Sequence, residues 1–138
     1  MPDKTSILFP IVALATLTFA VLLLIPVRRF RAGAAGQVVF DDFRYGESAR
    51  VPPEVVIPNR NMMNLLELPM LFYVACLTCY VTDRVNGTAL ALAWTYVGLR
   101  IAHSAIHVTY NRVRHRLIAF AASNVVLVMF WTNLIRAV

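Results

Sequence analysis

Arg60, Asn64 and Glu67 stand at i, i+4 and i+7. On a helix turning 100° per residue they fall within an arc of about 60°. Arg100, His103, Ser104, His107, Asn111 and Arg114 follow the same arithmetic. Relative to Arg100 their angles are about 0, −60, +40, −20, +20 and −40°, a stripe about 100° wide. Together the two stripes offer one carboxylate, several guanidinium groups, two imidazoles, amides and a hydroxyl. Arg forks bind carboxylates through two parallel bonds, and Glu67 could take an ammonium. The matching ligand carries several carboxylates and one ammonium. A plainer reading pairs Glu67 with Arg100 as a buried ion pair that only fixes helix packing.

Other reactive residue types say less. His103 and His107 stand at i, i+4, but no third ligand and no H-E-x-x-H context accompanies them, so no metal site is expected. Cys76 and Cys79 lie in an apolar run without partners for zinc, which favours a role as small apolar filler. His115 falls in a short basic segment and reads as a solvated loop residue.

The elements that carry the stripes follow from hydropathy. Ser6–Val27 has no charge over 22 residues, and about 20 are needed to cross a bilayer as a helix. It is no signal peptide: the residues before it are not basic, and the cluster Arg28-Arg29-Phe30-Arg31 follows it. Pro26 reads as helping to end this helix. Further apolar runs span about 59–82, 88–110 and 117–135, with a polar loop over 28–58 and tight turns at 83–87 and 111–116. The expected fold is all-α: one domain over residues 1–138, an integral membrane up-down four-helix bundle. Ionisable groups inside such spans cost about 2.5–3.5 kcal/mol each, so they face a partner or a cavity. The two stripes therefore face each other or a neighbouring subunit.

Composition agrees. Of 138 residues, 59% are hydrophobic and 14% charged, against about 25% charged in an average soluble domain. The mean hydropathy is +0.67. A soluble domain this small cannot hide so much apolar surface, which excludes a soluble enzyme and a disordered chain. The net charge of +6 would suggest nucleic acid in a soluble protein; here it orients spans. The connections 28–58 and 111–116, with Arg60 beside the first, hold nine Arg, whereas the opposite side holds Lys4, Arg84 and Arg136. The positive-inside rule then places both termini outside and those two connections in the cytoplasm.

Among small metabolites, glutathione has the complementary pattern: two carboxylates, one α-ammonium and a thiol, whose thiolate a nearby guanidinium would favour. The segment Arg60-Asn61-Met62-Met63-Asn64-Leu65-Leu66-Glu67, followed by Pro69, resembles the R-x-x-x-N-x-x-E signature of the membrane-associated proteins in eicosanoid and glutathione metabolism, the MAPEG family. Arg100-Ile101-Ala102-His103-Ser104-Ala105-Ile106-His107 resembles that family's third-helix motif, R-x-x-[HY]-x-x-x-Y. The four apolar runs, the long first loop and the basic turn before the fourth run agree, so the resemblance covers nearly the whole chain. It implies a microsomal glutathione transferase-like homotrimer with glutathione between neighbouring subunits near the cytoplasmic face. It further implies that Arg60, Asn64 and Glu67 bind glutathione from the second helix, and Arg100, His103 and His107 from the third. A thiol-activating Arg is implied near the start of the fourth helix; Arg114 and Arg116 both fit, and the spacing from Arg100 favours Arg116. Arg28 or Arg29 is a weaker contributor. His107 stands where several eukaryotic members have Tyr, and Pro69 follows Glu67 more closely than in some members.

The resemblance implies a transferase, with hydroperoxide reduction as a further activity, that conjugates glutathione to lipophilic electrophiles arriving through the bilayer. The alternative on the same fold is a non-catalytic protein that binds lipid or glutathione. Small four-helix multidrug transporters keep an essential Glu in the first helix and have short loops; here the first run is uncharged and loop 28–58 is long.

Overall fold

A computed structural model of the chain describes residues 3–137; Met1, Pro2 and Val138 lie outside the described residues. Five helices form: α1 (Leu8–Ala34), α2 (Pro53–Leu66), α3 (Pro69–Val81), α4 (Gly87–Val108) and α5 (Val113–Ala137), with single 3-10 turns at Lys4–Ile7 and Phe40–Phe43. Taking α2 and α3 as one interrupted rod, four helical stretches are long and apolar enough to cross a membrane: Lys4–Ala34, Pro53–Val81, Gly87–Val108 and Val113–Ala137.

The element boundaries differ from the sequence expectation at four places, each for a physical reason. Pro26 does not end the first helix, which continues to Ala34. A proline removes one ladder bond, and the following Arg residues are good helix formers. The helix stops at Gly36, whose φ is +69°. There Gly36 N–H donates to the Gly33 carbonyl and Gln37 N–H to the Ala32 carbonyl, the paired bonds of a Schellman stop. The second span begins at Pro53, not near Asn59, because Pro53 sits at the first helical position, where a proline is preorganised for the helix. The fourth span begins at Val113, not Leu117, so Arg114, His115 and Arg116 form a helical first turn rather than a loop.

The third span ends earlier than expected, at Val108. Asn111 adopts φ +47° and donates its N–H to the Ile106 carbonyl at 2.8 Å. Asn tolerates this left-handed conformation better than most residues. Asn111 and Arg114 therefore do not prolong the polar stripe of the third helix; they belong to the turn and to α5.

α4 and α5 form an antiparallel hairpin, and α1 packs along α2. α1 buries Ile7's successors Leu14 and Val21 on one line, seven residues apart, and leaves Phe9, Val12, Phe19 and Leu23 exposed. Exposed apolar flanks of this kind suit acyl chains as neighbours. The core joins Leu14, Val21, Phe72, Ala75, Tyr96 and Phe130, with Phe72 stacked on Tyr96 at 4.7 Å between ring centroids. Cys76 and Cys79 are free and buried in that core. At the end opposite the basic turns, Lys4 Nζ donates to Asp83 Oδ1 at 2.8 Å.

The loop between α1 and α2 is held by its own side chains. The Asp42 carboxylate accepts from Val39 N–H at 2.9 Å and from the Ser48 hydroxyl at 2.7 Å. These bonds, the backbone bond foremost, hold its carboxyl below the ordinary carboxylate value. The Glu47 carboxylate accepts from Arg29 Nη2 at 3.1 Å and from Asn59 Nδ2 at 2.9 Å, tying the loop to α1 and α2 together.

Candidate functional site

One face of α4 carries Ala89, Ala93, Tyr96, Val97, Arg100, His103, Ser104 and His107, all buried. It is small and apolar at Ala89 and Ala93, aromatic at Tyr96 and polar from Arg100 onward. Helical periodicity therefore places the polar groups on the same line that packs the bundle, at the end where α2 begins and α5 starts.

The break between α2 and α3 seats Arg100. Pro69 has no N–H and its ring clashes with a continuing ladder, so α2 stops at Leu66. Its last carbonyls are left without helical donors. Met63's still accepts its ordinary i+4 bond from Glu67 N–H, but Asn64's accepts from Arg100 Nη2 at 2.6 Å. Arg100 is fully buried, and its Nε and Nη1 have no partner. Its guanidinium lies 5.7 Å from the Phe120 ring centroid, within cation–π range.

The turn between α4 and α5 seats Arg116. Asn111, held in its left-handed conformation, accepts through Oδ1 from Arg116 Nη1 at 2.8 Å. His103 Nδ1–H donates to the Arg116 carbonyl at 3.1 Å. That bond fixes the tautomer and leaves Nε2 as a bare acceptor. His107 packs edge-on to His103, centroids 5.7 Å apart.

These groups enclose a cavity of about 320 Å³ lined by Arg60, Asn64, His103, His107, Val113, Arg116, Leu117 and Phe120. Its size lies in the range of about 300–1,000 Å³ that holds small ligands. Buried polar atoms are ordinarily bonded. Of its lining residues, His103 Nε2 and His107 Nδ1 are buried without partners, as are Nε and Nη1 of Arg100, which does not line the cavity but bonds to the carbonyl of Asn64. Three basic residues, Arg114, His115 and Arg116, also occupy the first turn of α5, where no acid stands. Cations at a helix N-terminus oppose the helix dipole. The sequence therefore accepts a local electrostatic cost that raises the positive potential at the cavity mouth.

Of the residues singled out from sequence, Arg60, Asn64, His103, His107 and Arg116 line this cavity, with Arg100 bonded to Asn64's backbone. Glu67 and Arg114 do not line it; both are exposed. Among the described residues no ion pair joins Glu67 to Arg100; the two that form are Lys4–Asp83 and Arg29–Glu47. The packing-pair reading of Glu67 and Arg100 is thereby corrected: Glu67 follows the end of α2 and remains on the surface. Arg29 pairs with Glu47 and does not line this cavity.

Sequence reasoning missed Asn61 and Phe120. Asn61 is fully buried and accepts from the Ser104 hydroxyl at 3.2 Å, locking α2 to α4. It stands about 100° from Arg60, outside the counted arc, yet an amide in an apolar run was itself a signal. Phe120 lies four residues after Arg116, and nothing distinguishes it from other apolar residues of that span.

With the geometry in place, the comparison with known families is specific. A model of the MAPEG family matches residues 7–136. The chain belongs to the MAPEG family. It is an integral, multi-pass membrane protein of that all-helical class. No curated protein and no solved structure matches the chain.

Proposed function

We propose that this MAPEG chain is a membrane-bound glutathione-dependent transferase that conjugates the glutathione thiolate to lipophilic electrophiles, with hydroperoxide reduction as a second activity. The carrying observation is the pair of partnerless buried nitrogens on His103 and His107 in a cavity that Arg60 and Arg116 also line, with two more on Arg100, which bonds to the lining residue Asn64. A tripeptide with two carboxylates supplies the acceptors that guanidinium forks lack, and its amide N–H groups supply donors for His103 Nε2.

In this reading Arg60, Asn64, Arg100, His103 and His107 bind and orient glutathione, and Arg116 holds its sulfur as the thiolate. The thiol proton passes to solvent. The sulfur lone pair forms a carbon–sulfur bond, and the leaving group departs with its bonding electrons. No covalent enzyme intermediate is needed. In hydroperoxide reduction two thiols become a disulfide while the oxygen–oxygen bond is cleaved to alcohol and water. Arg114, exposed one residue from the cavity wall, is the second candidate for thiolate stabilisation. Glu67 does not line its own chain's cavity and takes the α-ammonium of glutathione at a neighbour's site in the homotrimer that the family resemblance implies. The basic connections then lie in the cytoplasm and the termini outside.

Detergent-purified protein should bind glutathione and show a thiolate ultraviolet band that Arg116→Ala abolishes and Arg114→Ala spares. It should conjugate chlorodinitrobenzene. Binding without turnover across electrophiles and hydroperoxides would make the chain a lipid- or glutathione-binding protein instead. Absence of binding would defeat both readings.

A further inference from the structure

The ring of His103 is held from three sides. Its Nδ1 lies 3.1 Å from the Arg116 carbonyl oxygen, which can only accept, so Nδ1 carries the hydrogen and Nε2 a lone pair. The Phe120 ring on α5 and the His107 ring on α4 each stand with centroids 5.7 Å from it. His103 is only 2% exposed and lines the candidate cavity. Its Nε2 is buried and has no partner. A buried lone pair without a donor is rare, and the bond to Arg116 keeps this one from turning to another neighbour.

Arg116 couples this nitrogen to the reacting sulfur. Its carbonyl holds the His103 ring, and its own side chain lines the same cavity, tethered through Nη1 to Asn111 Oδ1 at 2.8 Å. The residue that holds the thiolate in the transferase reading and the residue with the bare lone pair are thus locked together by one hydrogen bond. An amide N–H of glutathione can fill Nε2 at rest, but only the thiol yields a proton to it.

The surrounding charges decide where that proton goes. Arg60 reaches the cavity from α2 and Arg116 from α5. On α4 itself, Arg100 precedes His103 by three residues and His107 follows it by four. The described lining residues include no carboxylate. An imidazolium formed here is repelled by the guanidinium groups, and the thiolate beside it is the one charge that offsets them. Once the sulfur forms its new bond, that negative charge is gone and the proton is driven off Nε2. A leaving oxygen that has just taken up a bonding pair is a base placed to accept it.

We propose that His103 Nε2 acts first as general base and then as general acid, which suits the cavity to electrophiles that leave through oxygen, namely epoxides and hydroperoxides. This assignment rests on the transferase reading above. The thiol gives its proton to Nε2. With an epoxide, the sulfur lone pair forms the carbon–sulfur bond and the carbon–oxygen bond breaks with its pair on oxygen. The alkoxide takes the proton from Nε2–H, and His103 is neutral again. With a hydroperoxide, the sulfur bonds to the outer oxygen, the oxygen–oxygen bond breaks, and the departing alkoxide takes the same proton. A second glutathione then converts the sulfenic acid to disulfide and water. A halide leaving group needs no proton, and there the proton goes on to solvent.

The test compares two electrophiles on one protein. The full chain in detergent, saturated with glutathione, is assayed with styrene oxide and with chlorodinitrobenzene, and the ratio of the two rates is read. Losses of folded protein or of bound glutathione lower both rates together and cancel in that ratio. His103→Gln keeps an acceptor oxygen but no group that takes a proton. It should slow both reactions and lower the ratio by about 10²-fold, the contribution of a well-placed acid or base. Cumene hydroperoxide should follow styrene oxide. Should His103→Gln fail to fold, His103→Asn, whose amide can still donate to the Arg116 carbonyl, serves as the second variant, with the same drop expected. An unchanged ratio would overturn the assignment and leave His103 a positioning residue. So would wild-type protein that turns over chlorodinitrobenzene but neither oxygen substrate. Wild-type protein that binds no glutathione in a titration would remove the transferase reading and this assignment with it, a failure distinct from an unchanged ratio.

Discussion

Two polar regions sit at the same end of this molecule, and they are built in opposite ways. In the loop between α1 and α2, two carboxylates find partners within the chain, Asp42 with Val39 and Ser48 and Glu47 with Arg29 and Asn59, although Arg29 Nε stays bare. Around the α2–α4–α5 cavity, deeper in the bundle, Arg100 spends one bond on a carbonyl and leaves Nε and Nη1 bare, and His103 and His107 each keep a bare nitrogen. Satisfied networks fix shape, and unsatisfied ones in a buried setting cost stability unless something else completes them. The loop network is therefore architecture, and the cavity is the proposed binding site.

That contrast can be broken first at Arg116. Arg116→Ala should reduce conjugation by about 10²–10³-fold, the loss seen when one donor to a developing anion is removed. Its melting temperature should barely change, because Arg116 is only partly buried. A normal turnover rate in this variant would remove Arg116 from the chemistry.

Arg100→Met sharpens the distinction by separating function from stability. It should weaken glutathione binding by about 1.5–3 kcal/mol. The ligand-free protein should become more stable by about 1–3 kcal/mol, since a buried cation without an acidic partner is replaced by an apolar side chain. A drop in ligand-free stability would show that Arg100 is structural.

The loop should respond in the opposite sense. Glu47→Gln weakens the tie between α1 and α2 and should cost about 1 kcal/mol of stability, a modest value because the pair is partly exposed. Glutathione affinity should stay at the wild-type level. A large loss of affinity would mean that the two regions are one functional unit.

The smallest effect is the acid response of Asp42. Its carboxyl is held below the ordinary value of 3.8 by Val39 N–H, then by Ser48. The stabilisation is complete above that ordinary value and disappears as pH falls through the lower folded one. Hydrogen exchange at the Val39 amide should therefore accelerate only on that acid side. Exchange protection that ignores pH there would place the loop's rigidity elsewhere.

Much of this arrangement was legible in the residues themselves. The stripe from Arg100 to His107 could be read because a helix repeats every 3.6 residues and lipid tolerates few ionisable groups. The breaks were harder. Pro26 and Pro69 look alike in sequence, yet the first helix runs through one and the second span is interrupted at the other. Pro26 lies far from a stop signal, whereas Gly36 supplies one ten residues later. The early start of α5 was hidden because Arg114, His115 and Arg116 oppose the helix dipole, so sequence logic read a loop. Asn61 escaped because it lies one residue, and so about 100°, from the stripe. Glu67's exposure depends on how the chain turns after Leu66, which no periodicity encodes.

The central claim is that the bare nitrogens on Arg100, His103 and His107 belong to a glutathione site. A calorimetric titration of glutathione into the detergent-solubilised protein tests it most directly, with Asn64→Ala and His107→Ala in parallel. Saturable heat in the wild-type protein, weakened in both variants, is the predicted result. A flat titration, or one that neither substitution alters, would contradict it.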